Sequence, residues 1–319
     1  MIPCEVEKLL EKCAFFNPSA TAVQNMIEKS AKVIEKKEDE IYTKIILDEE
    51  MPKETEILAA SLDGANVLLR EKGSKKGRKL SRPKKGENNN EIQKSCYKNA
   101  MVGTISYYKK RKEGEKHPDR LETKYIARIP ENRAITFKER FELSIKNVTS
   151  KLTNNPKKIM ILDGARNLWN YVNNNTLFDD YEKLVDFYHT TEHLSIASEI
   201  IFGKKNDDSK KWFSEYRKKL LNIDNGAYKV IRSLEYYLNK IKKGIQGYKD
   251  LKRELTFFRN NKNKMNYLYF LENGWPIGSG PVESACKTIV KQRLCRSGMR
   301  WLRKGGQAIL NLRTIYKVK

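Results

Sequence analysis

The stretch KKIMILDGARNLWNYV, residues 157–172, indicates the fold class of this chain. Residues 159–162 are a short continuous apolar run, which is typical of a parallel strand buried on both faces. Asp163-Gly164 ends the run, and a helical segment follows. A buried strand, a turn and a helix in succession predict an α/β fold, with Asp163 at the carboxyl end of a strand.

Further strands and helices are predicted on both sides of this unit. The segment ILAASLDGANVLLR, residues 57–70, has two apolar runs around Asp63-Gly64 and predicts a strand, a turn and a second strand. Other strands are predicted at 97–108, 124–129 and 183–189, a helix at 131–152, and an all-helical insert at 205–270. The aromatic residues of the insert are expected to form mostly helix core.

The N-terminal part and one internal segment differ from the rest. Residues 1–46 have helical patterns with a start signal at Asn17-Pro18, compatible with a helix-turn-helix remnant or with packing and dimerisation. Residues 71–95 are basic, rich in Gly and Asn, and predict a long loop or insertion. The predicted divisions are a helical N-terminal region (1–50), the first part of the core (51–200), a helical insertion (201–272), and a core-completing helix with a basic C-terminal segment (273–319).

The charge of the chain points to a polyanionic partner. Lys and Arg number 64 against 40 Asp and Glu, a formal net charge of +24 over 319 residues. Such an excess on a folded protein most often indicates nucleic-acid binding. The alternative is a Lys- and Asn-rich bias inherited from an AT-rich genome. No GxxxxGK loop is present, so we expect no nucleotide hydrolysis.

The sequence also predicts a cytoplasmic protein. No stretch approaches the roughly 18 apolar residues of a membrane helix. The N-terminus MIPCEVEKLLEKC lacks the basic region and apolar core of a signal peptide. The five cysteines include no CxxC pair and are expected to be reduced thiols.

Three carboxylates occupy comparable points in the predicted elements. Asp63 and Asp163 each follow an apolar run and precede Gly, and Glu283 begins a helix after a Gly-rich turn. Functional groups of α/β sheets gather at the carboxyl ends of central strands, so the three carboxylates would converge if their elements are neighbours. Converging hard oxygen ligands bind Mg²⁺ or Mn²⁺, and two ions about 3.5–4 Å apart would promote phosphodiester cleavage. For each acid considered alone, the alternative interpretation is an ordinary solvent-exposed residue in a turn.

Glu283 belongs to the segment GWPIGSGPVESACKTIVKQRLCRSGMR, residues 274–300. Pro281 suits the first helical position, with Ser279 as the cap. Glu283, Lys287 and Lys291 share one face, and the other face is mostly apolar, with Val282, Cys286, Ile289, Val290 and Arg293. The basic side chains predicted to hold DNA backbone are Lys287, Lys291, Arg293, Arg296 and Arg300. The alternative is an exposed helix with an ordinary Glu–Lys pair.

One protein family is suggested by four segments: SLDGANVLL (61–69), ILDGARNLWNYV (161–172), VDFYHTTEHL (185–194) and GWPIGSGPVESACKTIVKQRLCRSGMRWLRKGGQAILNLR (274–313). They resemble the DDE-type bacterial insertion-sequence transposases, most closely the ISKra ("ISKra-four") family. The resemblance implies a ribonuclease-H-like mixed sheet flanked by helices, with a helical insertion. It also implies Asp63, Asp163 and Glu283 as the metal-binding triad for two Mg²⁺ (or Mn²⁺) ions. Members look longer at the N-terminus, so an N-terminally short copy is expected.

The resemblance implies a specific reaction and partner. Water would hydrolyse a phosphodiester at each transposon end, and the freed 3′-hydroxyl would attack target DNA in the same site. The partner would be double-stranded DNA, both transposon ends and target, bound by a homo-oligomer at the nucleoid. The alternative is a catalytically inactive, transposase-derived DNA-binding protein.

Asp186, His189 and His193 form a separate motif. Asp186 is predicted to end the strand after Asp163, and the two histidines are four residues apart on one helical face. HTTEH at 189–193 matches the H-x-x-E-H pattern, which makes a zinc hydrolase a further alternative. Because no third ligand is marked, we expect these side chains to support the acids or to contact DNA phosphate.

Overall fold

A computed structural model describes residues 18–69, 96–115 and 117–317. The strands are β1 (Ile57–Leu69), β2 (Cys96–Tyr108), β3 (Arg120–Arg128), β4 (Lys157–Leu162) and β5 (Glu182–Val185). The α-helices are α1 (Ala20–Lys36), α2 (Glu38–Asp48), α3 (Ile135–Lys151), α4 (Arg166–Asn173), α5 (Phe187–Phe202), α6 (Asp207–Asn222), α7 (Gly226–Lys240), α8 (Gln246–Asn261), α9 (Tyr267–Glu272), α10 (Gly280–Ala285), α11 (Gln292–Leu294) and α12 (Arg303–Lys317). A π-helix covers Cys286–Lys291, and 3₁₀ turns cover Asn132–Ala134, Thr176–Phe178 and Lys262–Lys264.

The strands form one mixed five-stranded sheet in the order β3-β2-β1-β4-β5. β1, β2 and β3 pair antiparallel, whereas β4 pairs parallel with both β1 and β5. The predicted α/β class is therefore confirmed as a mixed sheet with flanking helices. The two parallel pairs place the carboxyl ends of β4 and β5 at the same edge, where functional side chains can meet.

The prediction of a turn at Asp63-Gly64 is wrong, because β1 is continuous from Ile57 to Leu69. β2 pairs along this whole length, with Asp63 opposite Val102 and Gly64 opposite Met101. Continuous pairing hydrogen-bonds the backbone on both sides of Asp63, so the local turn preference of Asp-Gly is overridden. Asp63 therefore lies within a strand instead of at its end.

The prediction for 183–189 is also partly wrong. β5 ends at Val185, and Asp186 is the N-cap of α5, so Phe187 to His189 are helical. The Asp186 side chain accepts a hydrogen bond from the His189 backbone N–H, which starts the helix earlier than the apolar pattern indicates. Asp186 nevertheless follows its strand directly, as predicted.

The remaining predicted strands and helices are close to those observed.

Two clusters of buried apolar side chains pack the sheet against the helices. One packs the sheet against α3 and the helices after β5, and Gly103 lets the α3 ring of Phe141 approach β2, where an added Cβ would lie 2.7 Å from Phe141 Cδ2. The other packs the second half of β1 and the first half of β2 against α10, the π-helix and α12. Trp212 and Phe258 are buried in the first cluster, as expected for core aromatics of the insertion.

The N-terminal helices pack on the edge of the sheet. Glu38 accepts from Arg128 at 2.6 Å and pairs with Arg140 at 3.1 Å, and Lys124 and Glu49 form a buried ion pair. These contacts show a packing role, while the helix-turn-helix interpretation and the domain divisions stay predictions. The predicted loop at 71–95 lies outside the described residues. Throughout the described ranges, every helix is too short or too polar to span a membrane.

Candidate metal-binding active site

Asp63 lies in β1, and Asp163 directly follows the neighbouring parallel strand β4. The pairing of β1 with β4 runs in step from Ile57 opposite Lys157 to Ala60 opposite Met160. Counting three residues beyond the last of these pairs puts Asp63 level with Asp163. Burial raises the pKa of Asp163, and the nearby charges of Asp63 and Asp186 raise it further. The two strands thus bring a pair of mutually repelling carboxylates together.

Local contacts fix the Asp163-Gly164 turn. Asp163 Oδ1 accepts from the Ala165 backbone N–H at 3.0 Å, and Trp169 Nε1 donates to the Asp163 carbonyl at 2.8 Å. Gly164 is required because the Phe257 ring of α8 covers it, and an added Cβ would lie 2.1 Å from Phe257 Cε2. The helical insertion therefore packs directly on the turn that presents Asp163.

Asp186 is the best-connected acid of the site. It is fully buried and accepts from the His189 backbone N–H at 2.8 Å, from His189 Nδ1 at 3.3 Å, and from the Ser279 backbone N–H. Burial alone would raise the pKa of Asp186, but the hydrogen bonds from His189 and Ser279 hold it below its ordinary value. Asp186 thereby joins the start of α5 to the turn before Glu283.

Glu283 completes the group from the other side. Its Oε1 lies 3.7 Å from His189 Nδ1 and accepts from Ser279 Oγ at 3.3 Å. Partial burial and the charge of Asp186 raise the pKa of Glu283. One ligand atom from each of Asp186, His189 and Glu283 lies within 4.8 Å of the others, a geometry that could hold a metal ion. In the described part of the chain, this is the one such group of three or more.

Glu283 is positioned by a helix that changes type. Pro281 lies in its first turn and Ser279 is its N-cap residue, as predicted, but the Ser279 side chain donates to Glu283 and makes no capping hydrogen bond. The π-helix adds one residue to the turn, so Leu294 is fully buried where a regular α-helix would place Arg293. Arg293, which was predicted on the apolar face, is only partly buried.

The π-helix also reaches β1. Cys286 is buried, and the pKa of its thiol is raised by burial and by the nearby Asp63 carboxylate. The segment that carries Glu283 is thus in contact with the strand that carries Asp63. This contact links the third predicted ligand to the first.

The predicted DNA-contacting residues follow Glu283 on an accessible surface. Lys287, Lys291, Arg296 and Arg300 are exposed, and Arg293 is partly buried. α11 ends at Leu294, so Arg296 and Arg300 lie beyond the helix and do not continue its face. Their contact with DNA stays a prediction.

His193 has a different environment from His189. Its Nδ1 lies 2.6 Å from Oε2 of the buried Glu254, and its ring stacks on Phe257 with centroids 3.6 Å apart. The metal-capable group described above contains His189 but not His193, so in the described residues the HTTEH motif does not form one ligand set. His193 instead joins α5 to α8.

Asp186 and His189, predicted to support the acids, belong to the group that could hold a metal ion, a role that the sequence pattern did not indicate. The available signal was the position of Asp186, which follows β5 as Asp163 follows β4. Parallel neighbouring strands end at one edge, and the rule that selected Asp163 applies equally to Asp186. Ser279 was recognised only as a cap.

His189 provides a pH-dependent test of this geometry. Its hydrogen bond to Asp186, followed by the charges of Asp186 and Glu283, raises the pKa of His189 from 6.5 to about 9. Protonated His189 therefore contributes its full stabilisation below pH 6.5, and this contribution is lost as the pH rises through about 9. In chelator, the melting temperature of the unsubstituted chain should exceed that of His189→Gln below pH 6.5, and this difference should vanish above pH 9. A difference that grows with pH would contradict a protonated His189.

Comparisons with known proteins give little beyond this geometry. No protein-family model matches the chain, and no curated protein matches it in sequence. Among solved structures, it is similar to the Drosophila P element transposase strand transfer complex, with 11% identity over 98% of this chain and 76% of that chain. The TM-score is 0.31. Similarity at this level establishes neither a shared fold nor a shared activity.

Proposed function

We propose that this chain is a DDE-type transposase of the ISKra group, which hydrolyses phosphodiesters at transposon ends and transfers the strand into target DNA. One observation carries the proposal: Asp186, His189 and Glu283 form a group that could hold a metal ion, and this group interacts electrostatically with Asp63 and Asp163. Neither a solvated helix nor a set of unrelated turn acids would bring these groups together. The strand order, with its acids on the central parallel strands, supports a ribonuclease-H-like core.

The donor set fits divalent metal ions. Asp63, Asp163, Asp186 and Glu283 supply hard carboxylate oxygens, and His189 supplies one nitrogen. The pKa values of Asp163 and Glu283 are raised by burial and by neighbouring acids, so a bound cation would relieve both the burial cost and the repulsion. Mg²⁺ or Mn²⁺, with two ions expected, would stabilise the attacking and leaving oxygens of a phosphodiester.

The residues of the chain have separable roles in this proposal. Asp63 and Asp163 are metal ligands in β1 and at the end of β4, and Glu283 is the ligand contributed by α10, which continues into the π-helix. Asp186 and His189 extend this set and hold Glu283 and the Ser279 turn in position. Lys287, Lys291, Arg293, Arg296 and Arg300 bind DNA backbone beside the acids. The net charge of +24 favours such a polyanionic partner.

A cleavage and binding assay tests the proposed function. Supercoiled plasmid and linear duplex are incubated with the protein in Mg²⁺, Mn²⁺, Ca²⁺ or chelator. We expect nicking in Mg²⁺ or Mn²⁺ and none in chelator, and binding that weakens steeply with salt because Lys and Arg displace counterions.

The other outcomes identify the alternatives. Salt-dependent DNA binding without cleavage in any metal would support the inactive DNA-binding protein. Stoichiometric zinc that is lost on changing His189 and His193 would support a zinc hydrolase. The absence of both binding and cleavage would contradict the proposal.

A further inference from the structure

Tyr188 lies at the rim of the acidic site with its ring half exposed. It follows Asp186 and Phe187 and precedes His189 in the first turn of α5. Its relative exposure is 50%, whereas Phe187 is 2% exposed and Asp186 is fully buried. Single exposed tyrosines are common on protein surfaces. Tyr188 differs because it adjoins the one described group able to hold a metal.

Two packing contacts restrict the position of the Tyr188 ring. The ring lies against Gly278, where an added Cβ would be 2.8 Å from Cε2 and 3.0 Å from Cδ2. It also meets the Phe187 ring at 70°, with centroids 5.9 Å apart. The Tyr188 carbonyl accepts from Thr191 Oγ1 at 2.8 Å. A ring ordered before binding loses little conformational entropy when a ligand covers it.

The chemistry of this position favours a planar, apolar ligand attached to an anion. A phosphate held at the acids through metal ions would leave the rest of its nucleotide next to Tyr188. An exposed ring offers stacking to any base, because every base has a π-face. Bases inside a duplex have both faces covered by their neighbours, so only an unpaired base can stack on a protein ring in this way.

We infer that Tyr188 contacts DNA by stacking on an unpaired base next to the phosphate that is cut. This inference rests on the proposed function and adds a substrate feature to it: the strand at the scissile phosphate is locally unpaired. The role requires the ring and not the hydroxyl. Tyr188→Phe should therefore preserve it and Tyr188→Leu should remove it.

Photocrosslinking tests the contact directly. The probe is a duplex with a single-stranded 3′ tail in which every thymine is replaced by 5-iodouracil, which crosslinks to aromatic rings stacked on it. Asp163→Asn protein keeps the probe intact. We expect mass spectrometry to locate an adduct on Tyr188, lost in the Tyr188→Leu double variant. Tyr236 on α7, which is 55% exposed, is the matched control and should carry none.

Cleavage kinetics supply a second readout in the protein with Asp163 intact. Tyr188→Leu should raise the KM for the tailed DNA about 10-fold, with kcat little changed, because stacking on a base is lost. Tyr188→Phe and Tyr236→Leu should retain the original KM. A general loss of fold would instead lower kcat in both leucine variants or lower their melting temperatures.

The outcomes separate this inference from the proposed function. Metal-dependent cleavage with no Tyr188 adduct, or with an unchanged KM in Tyr188→Leu, would overturn the inference and leave the function standing. A second outcome is a Tyr188 adduct in the crosslinking experiment but no DNA cleavage by protein with Asp163 intact. This result would overturn the catalytic proposal and the role of Tyr188 at the scissile phosphate, and would leave only a stacking contact with DNA. If the protein does not bind DNA, both proposals fail.

Discussion

Replacing Asp163 with Asn should reduce metal-dependent DNA cleavage on the order of a thousandfold while leaving DNA binding nearly unchanged. The amide keeps the shape and the acceptor for the Ala165 N–H but removes the negative charge that would hold the ion. The pKa of Asp163 is raised by burial and by Asp63, so the charge destabilises the metal-free chain. We therefore expect the variant to melt at the same temperature or higher in chelator. It should also lose the additional stabilisation by Mg²⁺.

Asp179→Asn is the matched control for this substitution. Asp179 is exposed and precedes β5 at the opposite end of the strand from Asp186, so its variant should cleave and bind as the unsubstituted protein does. Cleavage is measured on plasmid DNA, binding on a labelled duplex, and melting with and without Mg²⁺. Unaltered cleavage by Asp163→Asn would remove Asp163 from the site, while equal losses in both variants would indicate a general effect of charge.

Replacing Asp186 with Ala should lower the free energy of unfolding by about 2–4 kcal/mol and abolish metal-dependent cleavage. The substitution removes the N-cap of α5 and leaves the backbone N–H of Ser279 without its acceptor in a buried place. It also removes a partner of His189, which then no longer holds its position beside Glu283. Urea unfolding in chelator measures the stability loss without any contribution from metal binding.

Asn206→Ala separates the capping role from the network. Asn206 caps α6 by accepting from the Asp208 N–H at 2.9 Å, but it is exposed and distant in sequence from the acids. Its loss should cost about 1 kcal/mol or less and leave cleavage unchanged. If Asp186→Ala costs no more than this control and retains cleavage, Asp186 acts only as a helix cap.

Much of the secondary structure follows from local patterns. The apolar run before Asp163 is a parallel strand, because residues without a polar face must be buried on both sides. The predicted helices at 131–152 and within 205–270 are present because their apolar spacing suits a helix that packs on one face. The prediction that Asp163 lies at a strand end is therefore confirmed. Asp63 and Glu283 were predicted as its partners because each also lies next to an apparent turn. For Asp63 the predicted turn at Asp63-Gly64 is wrong.

Long-range pairing accounts for that error. Whether Asp-Gly turns or stays extended depends on whether another strand hydrogen-bonds its backbone, and β2 does so along all of β1. The same limit applies to the π-helix at Cys286–Lys291, after which Leu294 is buried and Arg293 is only partly buried. Helical periodicity assumes a regular helix, so a change of helix type cannot be obtained from spacing alone.

By itself, the sequence determined the α/β class, the basic character and the acids worth considering, because apolar periodicity, net charge and residue type are local properties. The tertiary structure alone brought Asp186 and His189 close to Glu283. It also paired His193 with Glu254 and packed the Tyr188 ring against Gly278. These contacts join segments up to about a hundred residues apart. Their geometry depends on the sheet order and on packing between layers, which residue spacing along the chain does not encode.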